Sequence, residues 1–197
     1  MHSWLAMLGF AFVTAFTPGP NNTMLMISGA NFGFARSLPH MLGISLGFPV
    51  MVLAVGLGLG GVFDAYPMAH RILTYVAFAY LLWMAWKLAF AGRIDGEGVR
   101  VGHPMGFLAA ALFQWVNPKA WIMAVSALAL YVAPAEPPLA GVSRVAAAFA
   151  LTAFPSTVVW CLFGTAISRY LGSERHVAIF NGAMAVLLVA SMVPTLL

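Results

Sequence analysis

Two long apolar segments, each interrupted by proline at a matching place, limit what this chain can fold into more than any other feature. Residues 3 to 31 carry Thr17-Pro18-Gly19-Pro20-Asn21, and residues 104 to 132 carry Asn117-Pro118-Lys119-Ala120-Trp121, one hundred positions on. As unbroken helices at about 1.5 Å per residue each would run to about 43 Å, well beyond a hydrocarbon core of roughly 30 Å. Proline removes an N–H and clashes with the turn before it, so each segment must divide and release backbone groups. In a bilayer such groups are tolerated only where protein buries them or where they line a watery cavity. Matched broken segments in two parts of one chain point to a binding site at the breaks.

The bilayer is implied by composition. Of 197 residues 62% are hydrophobic and 7% charged, with mean hydropathy +0.95, against about 45 to 50% apolar and 25% charged in a soluble domain. Nine basic residues against five acidic ones leave a formal charge of +4, but they are scattered and form no stripe suited to nucleic acid. The lone Cys161 excludes an internal disulfide and a two-thiol relay. The start, Met1 to Phe12, has no Lys or Arg ahead of its apolar run and reads as a first membrane segment, not a cleavable signal. No His-Glu-x-x-His, paired intramembrane carboxylates or Cys/His set with metal spacing is present, which argues against an intramembrane enzyme, a resident metal or a cofactor.

Windows of roughly 19 residues place segments near 3 to 31, 37 to 62, 68 to 91, 104 to 132, 139 to 168 and 174 to 196. The expected fold is therefore an all-α membrane protein of six transmembrane segments, a single domain over 1 to 197. It reads as two inverted three-helix repeats, 1 to 91 and 104 to 197, joined by a charged linker, 92 to 103, with segments one and four broken at their prolines. Three spans per repeat, an odd number, invert the second relative to the first. Arg36, Lys87, Arg93, Arg100, Arg169 and Arg175 fall on one side, Arg71 and Arg144 on the other. The positive-inside rule then puts both termini outside, with Trp4, Tyr66 and Tyr131 at the outer interface and Trp86 and Tyr170 at the inner one.

Proline suits the first turn of a helix, with Asn, Thr or Gly as its cap, so Pro20 and Pro118 are expected to start new half-helices. Their N-termini would offer amides and partial positive charge to a carboxylate. The candidate substrate-binding set is Thr17, Pro18, Gly19, Pro20, Asn21 and Asn22 at the first break, and Gln114, Asn117, Pro118 and Lys119 at the second. Lys119 is the one charge inside a segment and has no intramembrane carboxylate to pair with; a substrate carboxylate is one reading and snorkelling to the interface the other. A proline kink without a ligand, or an asparagine that only caps, are the plainer alternatives at the remaining positions.

Gly29-x3-Gly33, Gly43-x3-Gly47 and Gly56-x3-Gly60 read as close-packing faces; they also permit a homodimer. The twelve methionines and Cys161 read as core filling. His40, beside Pro39 near the inner end of the second segment, reads first as a structural histidine near the surface and only second as a proton carrier.

Phe16 to Phe48 (FTPGPNNTMLMISGANFGFARSLPHMLGISLGF), Ala79 to Ala89 (AYLLWMAWKLA) and Gln114 to Leu128 (QWVNPKAWIMAVSAL) together resemble the LysE/RhtB amino-acid exporter family, in order and spacing across essentially the whole chain. The resemblance implies a multi-pass protein of the bacterial inner membrane that moves small amino acids out of the cytoplasm, driven by the proton gradient. Pro18, Gly19, Pro20 and Asn21, with Asn117, Pro118 and Lys119, are the positions that the family motif carries over. Gly43 to Phe48 (GISLGF) and the Ala79 run look most like the branch that exports cysteine and O-acetylserine, although homoserine and threonine exporters share the frame. A basic substrate fits poorly, because no anion lies within the spans. An exporter of another small solute or ion on the same fold is the alternative.

Overall fold

The computed structural model describes residues 4–59, 103–133, 135, 137–170 and 174–190, and scattered positions between 68 and 86. All regular structure among them is helical. The elements are α1 (Trp4–Phe16), α2 (Pro20–Phe32), α3 (Phe34–Ala54, continued by a π-helical turn Val55–Leu59), α4 (Phe107–Val116), α5 (Pro118–Tyr131), α6 (Pro138–Ile167, ending in a 3-10 turn Ser168–Tyr170) and α7 (Glu174–Ala190). The described positions between 68 and 86 are helical as well.

Both expected breaks are present. The first apolar segment is two helices of 13 residues, about 20 Å each, and the second is helices of 10 and 14 residues. Among the described residues, only Phe34–Gly58 and Pro138–Ile167 are individually long and apolar enough to cross a bilayer. Pro20 and Pro118 each occupy the first turn of the new helix, capped by Gly19 and Asn117. Asn117 caps with its side chain, accepting from the Lys119 amide at 3.2 Å; Gly19 has no side chain to do so.

The expected loop around 32 to 36 shrinks to one residue. Gly33, at φ 78°, caps α2 and starts α3, so α3 begins at Phe34 and not near residue 37. A Cβ at Gly33 would meet nothing within 4 Å, so Gly33 makes a turn and is not half of a packing face. Tyr66, Lys87, Arg93, Arg100 and Gly60 lie outside the described residues, as does the end of the sixth segment beyond Ala190.

Five glycines of α2, α3 and α6 meet neighbours inside the chain: Gly29, Gly43, Gly47, Gly56 and Gly164. A Cβ at Gly29 would strike the Cys161 backbone, and one at Gly164 the Met26 backbone, so α2 and α6 cross with main chains in contact. Gly43 and Gly47 receive Phe107, Ala110 and Ala111 in the same way, seating α4 on α3, and Gly56 meets Val142 and Leu128. Gly29, Gly43, Gly47 and Gly56 thus serve packing within the chain.

Of three apolar clusters among the described residues, two reach the site. One draws Met7 and Ala11 of α1, Phe48, Met51 and Val52 of α3, Trp121 and Ala124 of α5, and Val145 and Phe149 of α6. The other joins Leu25, Met41, Ile44, Ala110 and Cys161 of α2, α3, α4 and α6. Phe48 lines a cavity from the first cluster and Ile44 from the second. Tyr131 donates to the Ala6 carbonyl at 3.2 Å, which brings the ends of the two broken segments together near Trp4.

Candidate functional site

The cavity, of about 50 Å³, opens where the two breaks meet. Six of the ten candidate residues line it: Gly19, Asn21, Asn22, Gln114, Asn117 and Lys119. Thr17, Pro18, Pro20 and Pro118 do not; they shape the breaks themselves.

Division of the helices leaves the carbonyls at the end of α1 without helical partners, and side chains take them over. Thr17 Oγ1 donates to the Thr14 carbonyl at 2.8 Å. Asn22 Nδ2 donates to the Ala15 and Thr17 carbonyls at 2.9 and 2.8 Å, and Ser156 Oγ to Ala15 at 2.8 Å. At the second break, Trp121 Nε1 donates to the Trp115 carbonyl at 2.9 Å. Asn22, Gln114 and Asn117 are buried, and their polar atoms are the reason that irregular backbone is tolerated there.

The breaks are also tied crosswise. Asn21 and Lys119 each directly follow a helix-starting proline, and each reaches the opposite break. Asn21 Nδ2 donates to Gln114 Oε1 at 2.8 Å, and Gln114 Nε2 donates back to Asn21 Oδ1 at 3.3 Å. Lys119 Nζ donates to the Thr17 carbonyl at 2.7 Å, to Thr17 Oγ1 at 2.9 Å and to the Pro18 carbonyl at 3.2 Å. Here the ammonium caps the partly negative C-terminal end of α1. Gly19 makes this geometry possible, since a Cβ there would lie 2.6 Å from Lys119 Cδ and 3.0 Å from Nζ.

Sequence reasoning missed Ser156 and Thr157 of α6, which line the cavity. The signal was available in Pro155-Ser156-Thr157, a proline followed by two hydroxyls inside an apolar segment. Thr157 Oγ1 also lies 3.4 Å from Ser45 Oγ of α3. Thr14, Ile44, Phe48, Ala120, Met123 and Ala153 complete much of the wall. His40 departs from its first reading: it is 2% exposed, and neither ring nitrogen has a partner among the described residues.

The polar groups suit a small zwitterion. First-turn amides of Asn21 and Asn22 and the Lys119 ammonium favour a carboxylate, whereas the carbonyls of α1 and the amide oxygens favour an ammonium group. On the same measure one water needs roughly 10–15 Å³, so a cavity of about 50 Å³ has room for a few waters, and a solute much larger than that needs its walls to part.

An apolar helical chain whose two broken helices meet at a cavity lined by apolar walls and a few convergent polar groups has the build of a membrane translocator. Residues 12–192 match the LysE type translocator family, and the chain belongs to it. The cysteine/O-acetylserine efflux protein of Salmonella paratyphi A (strain ATCC 9150 / SARB42) is 36% identical over 162 residues, 81% of this chain and 81% of that protein. The protein of the same description from Escherichia coli (strain K12) is 33% identical over 182 residues, 91% of this chain and 90% of its own length. No solved structure matches.

Proposed function

We propose that this protein is a secondary exporter of small neutral amino acids, cysteine and O-acetylserine foremost, with homoserine and threonine as further candidates, across a bacterial inner membrane. The observation that carries the reading is the crosswise bonding of the breaks, Asn21 with Gln114 and Lys119 with Thr17 and Pro18, around one cavity. The substrate class is that of the cysteine/O-acetylserine efflux proteins to which the chain is similar.

In this reading six spans form one domain, as inverted repeats over 1 to 91 and 104 to 197 joined by the linker 92 to 103, with both termini outside. The substrate carboxylate binds the first-turn amides of α2 and draws the Lys119 ammonium off the α1 carbonyls. The substrate ammonium takes the place that Lys119 leaves, and Asn21, Asn22, Gln114 and Asn117 orient it. The repeats then rock about the cavity, and the proton gradient drives the cycle. The absence of an anion among the described lining residues fits neutral substrates better than basic ones.

The test is efflux from cells loaded with an amino-acid panel and followed by mass spectrometry of the medium. Faster appearance of cysteine or O-acetylserine with the intact protein than with equal amounts of Lys119→Ala is the expected result. A membrane-inserted protein that moves nothing in the panel would sink the reading.

A further inference from the structure

We propose that His40 carries the proton for which the substrate is exchanged. The assignment rests on the export reading and adds the group on which a proton gradient acts. Three observations place it there. First, His40 is 2% exposed with both ring nitrogens unpartnered among the described residues. Native proteins seldom leave buried polar atoms so, and the exceptions call for a functional account.

Second, His40, Ile44 and Phe48 form one i, i+4, i+8 row on α3, and the latter two line the cavity. His40 stands one turn further along, about 6 Å at 1.5 Å per residue. Third, α2 and α3 fold back on each other at Gly33, with Ser28 Oγ and Ser37 Oγ 2.8 Å apart. Counting back from that pair sets Leu25 level with His40 and Asn21 level with Ile44, at the cavity. The imidazole thus stands between the cavity and the buried hydroxyl pair at the α2–α3 turn, the side that carries Arg36.

Among the described residues, α1, α2 and α4 contribute no titratable side chain. α6 contributes buried Cys161 near this level and exposed Arg144 near its start, and exposed His103 precedes α4. Arg36, one turn before His40 on α3, lies over the Phe32 ring at 5.6 Å. Lys119 is held across the cavity by Thr17 and Pro18. Imidazole is the side chain whose ordinary pKa, about 6.5, lets it load and unload within the range a cell imposes. The step is a transfer alone: a ring nitrogen takes one proton from the outer side after the substrate leaves and gives it to the cytoplasm before the next substrate binds.

The experiment uses the full chain in proteoliposomes with O-acetyl-L-serine at mildly acid pH, reading two activities. Wild-type protein should exchange substrate against substrate and should also concentrate it against an imposed pH gradient, by up to about tenfold per pH unit for one proton. His40→Asn should keep exchange and lose gradient-driven accumulation, with a flattened pH profile; His103→Asn should keep both. A His40→Asn protein that still accumulates substrate overturns the assignment while leaving export intact. A wild-type protein that exchanges nothing overturns export, and the assignment with it. If His40→Asn fails to reach the membrane, calorimetry of substrate binding to the wild-type protein in buffers of different ionisation enthalpy decides: heats that vary with buffer support a linked proton, and invariant heats overturn it.

Discussion

At the scale of single residues, the second position of each half-helix carries the most information. Lys119 holds three oxygens of the other break, so Lys119→Ala leaves the Pro18 carbonyl short of a donor, while the Thr17 carbonyl keeps Asn22, and removes the one cation among the described lining residues. Export should be abolished or sharply reduced with the protein still in the membrane, read by efflux at matched expression; unchanged efflux would mean that the ammonium only caps. Gly19→Ala should act in the same direction without touching the charge, because its Cβ would enter the space of the Lys119 side chain. Asn21→Ala should weaken export more than Cys161→Ala, since Asn21 exchanges two hydrogen bonds with Gln114 whereas Cys161 fills an apolar cluster. The reverse ranking would discredit the site. That Asn21 and Lys119 are polar and beside prolines is plain in the sequence; that each serves the opposite break is not, because 93 and 102 residues separate the partners.

At the scale of elements, α2 and α6 depend on two glycines on facing helices. Gly29→Leu or Gly164→Leu must push apart main chains already in contact, and overpacking of this kind typically costs about 1–3 kcal/mol. A lower midpoint in detergent melts, with less protein in the membrane, is the expected result; Gly9→Leu, whose Cβ would meet nothing within 4 Å, should leave the melt unchanged. An unshifted Gly29→Leu melt would contradict the close crossing. Gly29-x3-Gly33 shows how a motif can mislead here. Its first glycine packs and its second turns the chain, because one spacing serves a helix face and a helix end alike.

At the scale of the whole molecule, the packing is exchanged along the chain: α1 lies against α6, and α4 against α3. Each broken segment thus leans on an unbroken helix more than one hundred or some sixty residues away in sequence, respectively. Such packing keeps the breaks facing each other while the unbroken helices supply length. The proposed topology puts both termini outside, so a C-terminal reporter active only in the cytoplasm should stay dark and one active only in the periplasm should report. The opposite pattern would invert the molecule and exchange the faces assigned to loading and release.

The sequence by itself determined the class of environment, the helical content and the two breaks. Hydropathy and proline act locally: they fix which backbone groups lipid will refuse, whatever the neighbours are. It also supplied most of the polar set at the cavity, because uncommon polar residues beside prolines stand out in an apolar chain. Only the tertiary structure decided who partners whom. Lys119 reaches the carbonyls of the opposite break, Ser156 and Thr157 arrived from a helix without a break, and His40 went inward with its nitrogens unpaired among the described residues. Those outcomes depend on helix rotation and crossing, which the glycine contacts between distant segments set and which no local pattern encodes.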